Sequence, residues 1–475
     1  MSRIWSMMDI GRRSLVNSQT GLQTVSHNVA NKSTEGYSRQ RVNFQSAIPV
    51  GHGKKRVGMG ARAGNIDRIN NAYLEKQIEK EGNNLGYLKA RSESVGRVEQ
   101  VYNEQINKGL NKYIGEFFNS FRELSNNPES LAARTLVKES AEFLSRDFQR
   151  VDKQLTEIKR DMDYQIATNV AEINQITEEI ANLNEKVQQV VLAGGPANDE
   201  RDRRDLLVKQ LSEKVNIRWA ESDTGLLTIT AGDSAVIVSG YSHRQLFTSP
   251  VTNEDGKRLG HFDIYYKPTE SGTPVNVTEQ FRSGELGGLI EVRDKLISGL
   301  QTELDDLAYG ISKNVNEAHQ YGFDRYNQKG GAFFNPMATN KDASRNIRVS
   351  EGVRTDVGLI AAAASPNAPG DNRIANILSS LQDKKIMSGG TATFGDYYST
   401  IVGEVGIAAN RANSASKAQS DIIKQLNNIR EQISGVSLDE ETTKMIEYQK
   451  SFDASARLIR TADEMLDTVL SLKRL

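Results

Sequence analysis

Histidine is the side chain in this sequence best suited to metal binding or proton transfer, and its spacing argues against both roles. The five histidines are His27, His52, His243, His261 and His319. No two are four positions apart, the spacing that places two zinc ligands on one face of a helix. We therefore interpret them as polar groups at the surface or at interfaces, and we predict no metal site.

Two other stretches carry side chains that could bind a ligand. Residues 198–205 are rich in carboxylates, but arginines lie between them and the spacing of a calcium-binding loop is absent. We interpret them as the solvated, ion-paired start of a helix. Residues 51–62 are basic and glycine-rich but lack the spacing of a phosphate-binding loop. We interpret them as a flexible connector, with contact to another subunit as the alternative.

Catalytic and cofactor-binding residues are not predicted anywhere in the sequence. The chain has no cysteine, and no nucleophile is arranged with a base or a pair of carboxylates in a recognisable pattern. We therefore expect a protein that is not an enzyme and that uses no cofactor.

The overall composition excludes two further classes of protein. The 475 residues include 60 basic and 61 acidic side chains, so the basic footprint of a nucleic-acid-binding protein is missing. The longest apolar run, residues 359–364, is far shorter than the ~18 residues that a membrane-spanning helix needs. Residues 1–13 do not have the pattern of a cleaved secretory signal. We expect neither a nucleic-acid partner nor a membrane.

Helices at the two ends of the chain are predicted by apolar residues spaced three and four positions apart. The N-terminal series includes the small residues Gly11 and Ser18 and the larger residues Ile4, Met8, Leu15, Leu22, Val25 and Val29. The C-terminal series is Met445, Tyr448, Phe452, Ile459, Leu466 and Val469. We name the larger residues of both series the assembly seam. Because neither series has a partner helix nearby in sequence, each needs the other end of the chain or another subunit, and we favour another subunit.

Between the two ends, helical periodicity alternates with a small β-rich unit. We predict a mainly α fold with a smaller β part: an elongated, multi-domain protein with paired N- and C-terminal coiled-coil helices, a helical-bundle domain and a small β-rich domain. The predicted divisions are an N-terminal axial helix and extended segment (1–68), a helical domain in two parts (69–214 and 284–335), the β-rich domain (215–283), a mixed variable segment (336–410) and C-terminal axial helices (411–475).

The β-rich domain interrupts two helical stretches, as an inserted domain would. We therefore expect its two ends to lie close together. We also predict that it is dispensable for assembly, so that a short flexible linker could replace it.

The sequence after the first predicted helix resembles a signature shared by bacterial flagellar rod, hook and hook-associated proteins, which together form the flagellar axial family. The matching residues are Asn28, Ala30, Asn31, Thr34, Gly36, Tyr37, Arg39 and Gln40. Further segments are similar to the hook-associated protein 1 family in particular: residues 117–134, 176–208, 284–289, 316–334 and 435–467. In all, the resemblance covers residues 1–45, 70–215, 284–335 and 415–475.

The resemblance implies a structural adaptor that assembles at the distal end of the flagellar hook and joins hook to filament, with the terminal helices lining the core of a tube. The implied partners are other copies of the chain in a helical ring or tube, the hook protein, the next junction protein, the filament and an export chaperone. The implied location is the extracellular hook–filament junction, reached by secretion. The alternatives are another axial protein, of the rod, hook or filament type, and a coiled-coil signalling protein.

Overall fold

The computed structural model describes residues 2–52, 55–103, 109–252, 258–269 and 272–472. Its α-helices are α1 (Ser2–Ala30), α2 (Ala72–Tyr102), α3 (Leu110–Asn126), α4 (Leu131–Leu192), α5 (Asn198–Lys214), α6 (Gly284–Glu291), α7 (Ser298–Gln320), α8 (Ala343–Asn346), α9 (Glu351–Thr355), α10 (Arg373–Ser380), α11 (Phe394–Ser434) and α12 (Leu438–Leu472). A π-helical turn, Val292–Ile297, joins α6 to α7, and 3-10 turns occupy Thr278–Gln280 and Val357–Leu359.

The strands form four small antiparallel sheets. They are β1 (Gln40–Ser46), β2 (Val50–His52), β3 (Lys55–Val57), β4 (Ala61–Arg68), β5 (Ile217–Glu221), β6 (Leu227–Ala231), β7 (Ala235–Ser239), β8 (Ser242–His243), β9 (Leu246–Thr252), β10 (Arg258–Tyr266) and β11 (Val275–Asn276). Their pairing orders are β1-β4, β2-β3, β5-β6-β7-β8 and β11-β10-β9. With 65% of the residues helical and 12% in strands, the predicted class of a mainly α fold with a smaller β part is confirmed.

The long helix α4 is the central element in the middle of the molecule. Ser130 caps its N-terminus by accepting a hydrogen bond from the backbone N–H of Ala133 at 3.2 Å. Its buried residues include Ile166, Ile173 and Ile180, which recur every seven positions and therefore lie on one face. One apolar core runs along that face and takes in α2, α3, α5, α6, α7 and the strands β6, β7 and β10.

An aromatic cluster fills the core at the N-terminal end of α4. Phe117 of α3 contacts Phe118, Phe121, Phe333 and Phe334 with ring centroids 5.1–5.9 Å apart. All five rings are fully buried. The segment after α7 thus folds back to complete a core that α3 begins, which joins parts of the chain that are distant in sequence.

The β-rich unit packs directly on α4. Asn184 of α4 donates hydrogen bonds from Nδ2 to the backbone oxygens of Leu227, at 2.9 Å, and Gly240, at 2.8 Å. The two ends of the unit do lie close together, since a Cβ on Gly284 would come within 2.7 Å of the backbone nitrogen of Val215. However, its strands share their core with α4. Removing them would expose that core, which argues against the prediction that the unit is dispensable.

Two further stretches differ from the sequence-based expectation. The connector predicted at residues 51–62 is part of a β-ribbon, residues 40–68, whose residues 53 and 54 lie outside the described part of the chain. The helix α11 begins at Phe394, earlier than residue 411, because Thr393 and Asp396 form a capping box there. The α-helical start of this segment was hidden by its glycine-rich surroundings.

Candidate assembly interface

The first and last helices of the described chain, α1 and α12, pack against each other along a line of small residues. A Cβ on Gly11 would lie 2.6 Å from Cγ1 of Ile459, and one on Gly21 would lie 2.7 Å from Cζ of Tyr448. Further along, the hydroxyl of Ser455 donates a hydrogen bond to Oγ of Ser14 at 2.6 Å. The glycines therefore allow the backbones to approach closely, which larger side chains would prevent.

The α1 half of the assembly seam lies beside this line rather than on it. Val25 is buried, whereas Ile4, Met8, Leu15, Leu22 and Val29 are half-buried. The face of α1 that contacts α12 bears Gly11, Ser14, Ser18, Gly21 and Asn28. Its glycines and serines are small, so α12 comes closest to α1 there. Leu15 and Leu22 flank the contact instead of forming its centre.

The α12 half of the assembly seam faces α1 more directly. Met445, Tyr448, Ile459 and Leu466 are half-buried, and the small residues Ser455 and Ala462 between them are buried. Phe452 and Val469 remain 38% and 39% exposed, at the edges of the contact. The pairing of each end with the other end of the same chain is therefore present, and the predicted contact with another subunit stays a prediction.

Large apolar side chains remain uncovered after this pairing. On α1, Trp5 is 61% and Val16 54% exposed. They are eleven positions apart, which places them on one face of the helix, three turns from each other. Others are exposed on the last two helices: Ile422, Ile429 and Ile433 on α11, and Ile446, Met465 and Leu470 on α12. A soluble monomer rarely leaves so much apolar surface in one region without a use for it.

The β-ribbon lies along α1, and one of the residues that hold it is an asparagine that the sequence did not single out. Asn17 donates from Nδ2 to the backbone oxygen of Ala61 at 2.9 Å and accepts from the N–H of Ala63 at 2.7 Å. Phe44 of the ribbon also packs on Tyr448 of α12, with ring centroids 6.3 Å apart. The ribbon thus contacts both helices of the pair.

The residues of the family signature meet at the C-terminal end of α1, around Asn28. The amide of Asn28 donates to the backbone oxygen of Gln40 and accepts from its N–H, both at 2.9 Å, so its orientation is fixed. It also donates to Oε2 of Glu441 at 2.9 Å and accepts from the hydroxyl of Tyr37 at 2.7 Å. Asn28, Tyr37, Arg39, Gln40 and Glu441 are called the motif cluster below.

Arg39 and Glu441 form the charged centre of the motif cluster. Nε of Arg39 donates to Oε1 of Glu441 at 2.7 Å, and its second nitrogen NH1 pairs with Oε2 of Glu440 at 2.7 Å. Burial lowers the pKa of the Arg39 guanidinium, but these two carboxylates outweigh it and raise that pKa above its ordinary value. The backbone N–H of Arg39 also donates to the oxygen of Ser434 at 2.9 Å. The cluster therefore ties α1 to the short turn between α11 and α12.

A second set of contacts ties the turn after α1, together with the β-ribbon, to α5. The backbone N–H of Ser38 donates to Oδ2 of Asp202 at 2.8 Å, and Arg68 pairs with Asp202 and Asp205 at 2.8 and 2.9 Å. Burial raises the pKa of Asp202, and Arg68 offsets only part of that rise. Nε2 of Gln40 donates to Asp199 at 2.7 Å. The interpretation of residues 198–205 as solvated is therefore wrong for Asp202, which is buried because it receives this turn.

A third set of contacts ties α11 to α2. Arg430 donates from Nε to Oε1 of Glu75 at 3.0 Å and from NH2 to the backbone oxygen of Gly36 at 3.2 Å. Lys209 of α5 pairs with the other oxygen of Glu75. Burial alone would raise the pKa of Glu75, but Lys209 and Arg430 outweigh it and lower that pKa. The motif cluster thus lies beside a buried network that reaches the middle of the molecule.

The remaining signature residues shape the turn after α1. Asn31 accepts a hydrogen bond from the hydroxyl of Thr34 at 3.1 Å, and Ala30 is exposed. Gly36 has a φ of +81°, a conformation that favours glycine, and a Cβ there would come within 3.0 Å of Leu206. His27, next to the signature, also belongs here: it lies 3.0 Å from the Tyr37 hydroxyl and 3.4 Å from Asp199.

Two other buried polar residues correct the sequence-based interpretation. Arg204 is 1% exposed and donates to the backbone oxygen of Gly225 at 2.7 Å, so it is a core residue rather than part of a solvated run. His319 is fully buried rather than at a surface. Its Nε2 accepts from the N–H of Ala361 at 2.8 Å, so its Nδ1–H donates to the oxygen of Gly331 at 2.8 Å.

Within residues 2–52, 55–103, 109–252, 258–269 and 272–472, no three His, Asp or Glu side chains are grouped so that they could hold a metal ion. No helix in the same residues is long and apolar enough to cross a membrane.

Family models match two parts of the chain. Residues 95–334, half of the chain, match the model described as the flagellar hook-associated protein FlgK helical domain. Residues 431–472, most of which form α12, match the model described as the flagellar basal body rod FlgEFG protein C-terminal.

Similar proteins and a similar structure agree with these matches. A flagellar hook-associated protein 1 from Bacillus subtilis (strain 168) is 28% identical, over 99% of each chain. Another from Salmonella typhimurium (strain LT2) is 24% identical, over 96% of this chain and 97% of the relative. The fold matches the flagellar hook junction protein FlgK from Burkholderia pseudomallei with a TM-score of 0.67 and 16% identity, over 75% of this chain and 100% of that one. The chain belongs to the FlgK family of flagellar hook-associated proteins.

Proposed function

We propose that this chain is a structural adaptor that assembles at the distal end of the flagellar hook and joins hook to filament by helical self-assembly through α1 and α12. The observation that carries the proposal is the apolar surface that α1, α11 and α12 leave exposed after pairing. Burying such surface between copies is favourable by about 25 cal/mol per Å². Contacts between different faces of successive copies generate rings or helical tubes.

The inner and outer faces of the α1–α12 pair have different parts in this proposal. Gly11, Ile459 and Tyr448 hold α1 and α12 together inside each copy. The faces that bear Trp5, Val16 and Phe452 then contact neighbouring copies. The motif cluster fixes the direction in which the helix pair leaves the rest of the molecule, because Arg39 and Asn28 bind Glu441 while Arg430 and Ser38 bind α2 and α5.

Hook, filament and the next junction protein are the proposed partners at the two ends of the assembly. A flagellar hook protein from Treponema pallidum is 56% identical over 43 residues, 9% of each chain, which supports a segment shared with hook subunits. An export chaperone is a further proposed partner, since the exposed apolar helices need cover before assembly. Secretion to the extracellular flagellum follows from the same proposal.

The proposed role requires no chemistry. The buried charges described above hold helices together: Arg39 pairs with Glu441, Arg68 with Asp202 and Arg430 with Glu75. We therefore propose that the chain is not an enzyme. The predicted domain divisions are retained as proposals, with the β-rich unit joined to the helical domain through α4.

Cells that lack this chain test the proposed function. They should build hooks but release filament subunits into the medium, and a plasmid-borne copy of the chain should restore attached filaments. Cells that build no hook would instead assign the chain to the rod or hook. Cells that keep normal filaments would overturn the junction role.

A further inference from the structure

A groove at the corner between the two larger sheets has no part in the proposed assembly. It has a volume of about 970 Å³ and is lined by Tyr241, His243, Arg244, Gln245, Phe247 and Lys267, among others. None of the groove-lining residues in the described chain is acidic. A groove of this size has room for more than one sugar ring or a short extended polymer.

The fold brings the basic side chains of the groove together from two sheets. The β7–β8 hairpin pairs Val238 with His243, and Arg244 follows directly, its backbone N–H bound to the oxygen of Ile237 at 2.9 Å. Lys267 comes directly after β10, whose last residue pairs with the first residue of β9. The groove therefore lies where the edges of the two sheets meet.

The cations of this groove are the half-buried Arg244 and the exposed Lys267. Within the described residues, His243, Arg244 and Lys267 form no ion pair with a carboxylate. By contrast, Arg218 of the same β-rich unit pairs with Asp233 at 3.2 Å. The ammonium of Lys267 lies 5.6 Å from the ring centroid of Phe247 instead. The groove thus presents positive charge that the described chain leaves unneutralised.

Aromatic rings form the apolar part of the same groove. Tyr241 is 54% exposed, and its hydroxyl donates to Oε1 of Gln188 at 2.6 Å, which holds the ring in place. Phe247 stacks on Tyr265 with ring centroids 5.8 Å apart. An exposed aromatic ring and a guanidinium that line the same groove suit a sugar ring that carries a carboxylate, since the sugar can pack on the aromatic face and the carboxylate can bind the arginine.

We propose that this groove binds a carboxylated polysaccharide. An acidic peptide is the competing ligand, and a peptide would bind such an edge chiefly by adding a strand. Here β8 has only two residues and β9 contains Pro250, so neither offers a long row of free backbone donors. Recognition must therefore come from the side chains. This proposal goes beyond the junction role and does not depend on α1 or α12.

Binding of the purified full chain to polygalacturonate tests the proposal, with neutral dextran as the comparison polymer. Polygalacturonate should bind at low salt and weaken as salt rises, and dextran should not bind. Arg244→Gln with Lys267→Gln should weaken binding at least about tenfold, since each removes a charged hydrogen-bond donor. Tyr241→Ala should weaken it as well. Arg218→Gln is the matched control, because it removes an arginine of the same unit outside the groove, and it should change binding little.

The opposite results would overturn the proposal. These are no binding of polygalacturonate, equal binding by the Arg244→Gln/Lys267→Gln variant, or binding of poly-glutamate that is equally tight and unaffected by Tyr241→Ala. The last result would assign the groove to acidic peptides. Arg244 is half-buried and the other changed side chains are exposed. Unchanged thermal melting of each variant shows that a loss of binding is not a loss of folding. Filament attachment should be normal in every variant, which separates this test from the test of the junction role.

Discussion

Glu441 is a fully buried carboxylate whose partners Asn28 and Arg39 lie 413 and 402 positions earlier in the chain. A buried charge without a partner costs far more than a surface ion pair contributes. Burial of Glu441 is therefore favourable only when both Asn28 and Arg39 are in place beside it. Glu440 contacts the same arginine, but its side chain is 61% exposed and water can replace the contact.

This difference between neighbours gives the first prediction. Glu441→Gln should destabilise the junction of α1 with α12 by about 3 kcal/mol, because Arg39 loses its buried counter-charge. Glu440→Gln, the matched control, should cost less than ~1 kcal/mol. Hydrogen exchange of the amides in residues 24–30 measures both changes. Equal exchange in the two variants would show that the burial of Glu441 does not make it more important than Glu440 for the stability of this junction.

His319 is a second buried polar group, and its state depends on pH. Burial lowers its pKa to about 4, with the nearby Arg134 adding to the effect. The unfolded chain has an ordinary histidine pKa of about 6.5. Below that value the unfolded state binds a proton that the folded state does not bind. The stability that neutral His319 contributes is therefore present above pH 6.5 and is lost as the pH falls toward 4.

The second prediction uses this loss of stability. Between pH 7 and pH 5, His319 should account for about 2 kcal/mol of lost unfolding free energy. Urea unfolding at the two pH values should show that difference in the original chain and a smaller one in His319→Gln. The variant will be less stable at pH 7, so the comparison is of the pH-dependent differences. The same pH-dependent loss of unfolding free energy in both proteins would contradict the assignment of that loss to His319.

Sequence reasoning found part of these sites and missed the rest for a physical reason. The signature from Asn28 to Gln40 was visible because its residues are close in sequence. Glu441 was visible only as part of the family resemblance, since nothing in the local pattern pairs it with Arg39. Asp202 and Arg204 looked solvated because charge runs usually are. Whether a charged side chain is buried depends on the elements that pack over it, and local spacing does not contain that information.

At the scale of elements, α4 and the β-rich unit stabilise each other. The buried face of α4 at Ile173, Ile180 and Leu183 and the buried strand residues around Ile229 belong to one core. The sequence predicted both elements from their periodicity, but not their common core. An alternating strand pattern identifies a buried face without identifying the surface that covers it.

The third prediction follows from this common core. Ile229→Ala should cost ~2–5 kcal/mol, the range for truncation of a fully buried isoleucine. Hydrogen exchange in α4 around residues 173–187 should rise along with that in β6, because the two faces lose the same contacts. Val275→Ala, at a 44% exposed strand position of the same unit, is the control and should leave exchange in α4 unchanged. Unchanged exchange of α4 in Ile229→Ala would instead indicate that the β-rich unit is an inserted domain that folds separately from α4.

At the ends of the chain, helix periodicity predicts where the helices lie but not which residues form the contact between them. It predicted the extents of α1 and α12 closely, because apolar residues recur there every three and four positions. It selected the larger residues, such as Leu15 and Leu22, as the contact line on α1. The structure uses the Gly11–Gly21 side instead, since close approach of two backbones favours small residues over large ones. A pattern of apolar residues does not predict this preference for small residues, because it does not show where two backbones approach closely.

At the scale of the whole molecule, three joints hold the paired ends in a fixed direction. They are the motif cluster, the Arg430–Glu75 contact and the packing of Leu426 on Leu74 and Ile78. A junction protein must pass the geometry of one polymer to another, which requires that its copies be alike in shape. The buried charges at these joints serve that purpose, because a wrong arrangement would leave them unpaired.

The last prediction separates contacts within a copy from contacts between copies. Val16→Asp changes an exposed residue on the outer face of α1, and Ile459→Asp changes a residue that packs on Gly11 inside the pair. Val16→Asp should leave thermal melting of the purified chain nearly unchanged, within ~0.5 kcal/mol. It should still reduce filament attachment on cells, because every copy would bury an unpaired charge in the assembled tube.

Ile459→Asp should do both kinds of damage. It should weaken the α1–α12 pair in the purified chain, seen as faster proteolysis of both helices, and it should also release filaments. Glu464→Ala, at an exposed position of α12, is the control and should do neither. Filament retention and proteolysis, measured on all three variants, distinguish the two roles. If Val16→Asp cells keep their filaments, the outer face of α1 is not used between copies, and the exposed residues of α11 and α12 would have to supply the assembly contact.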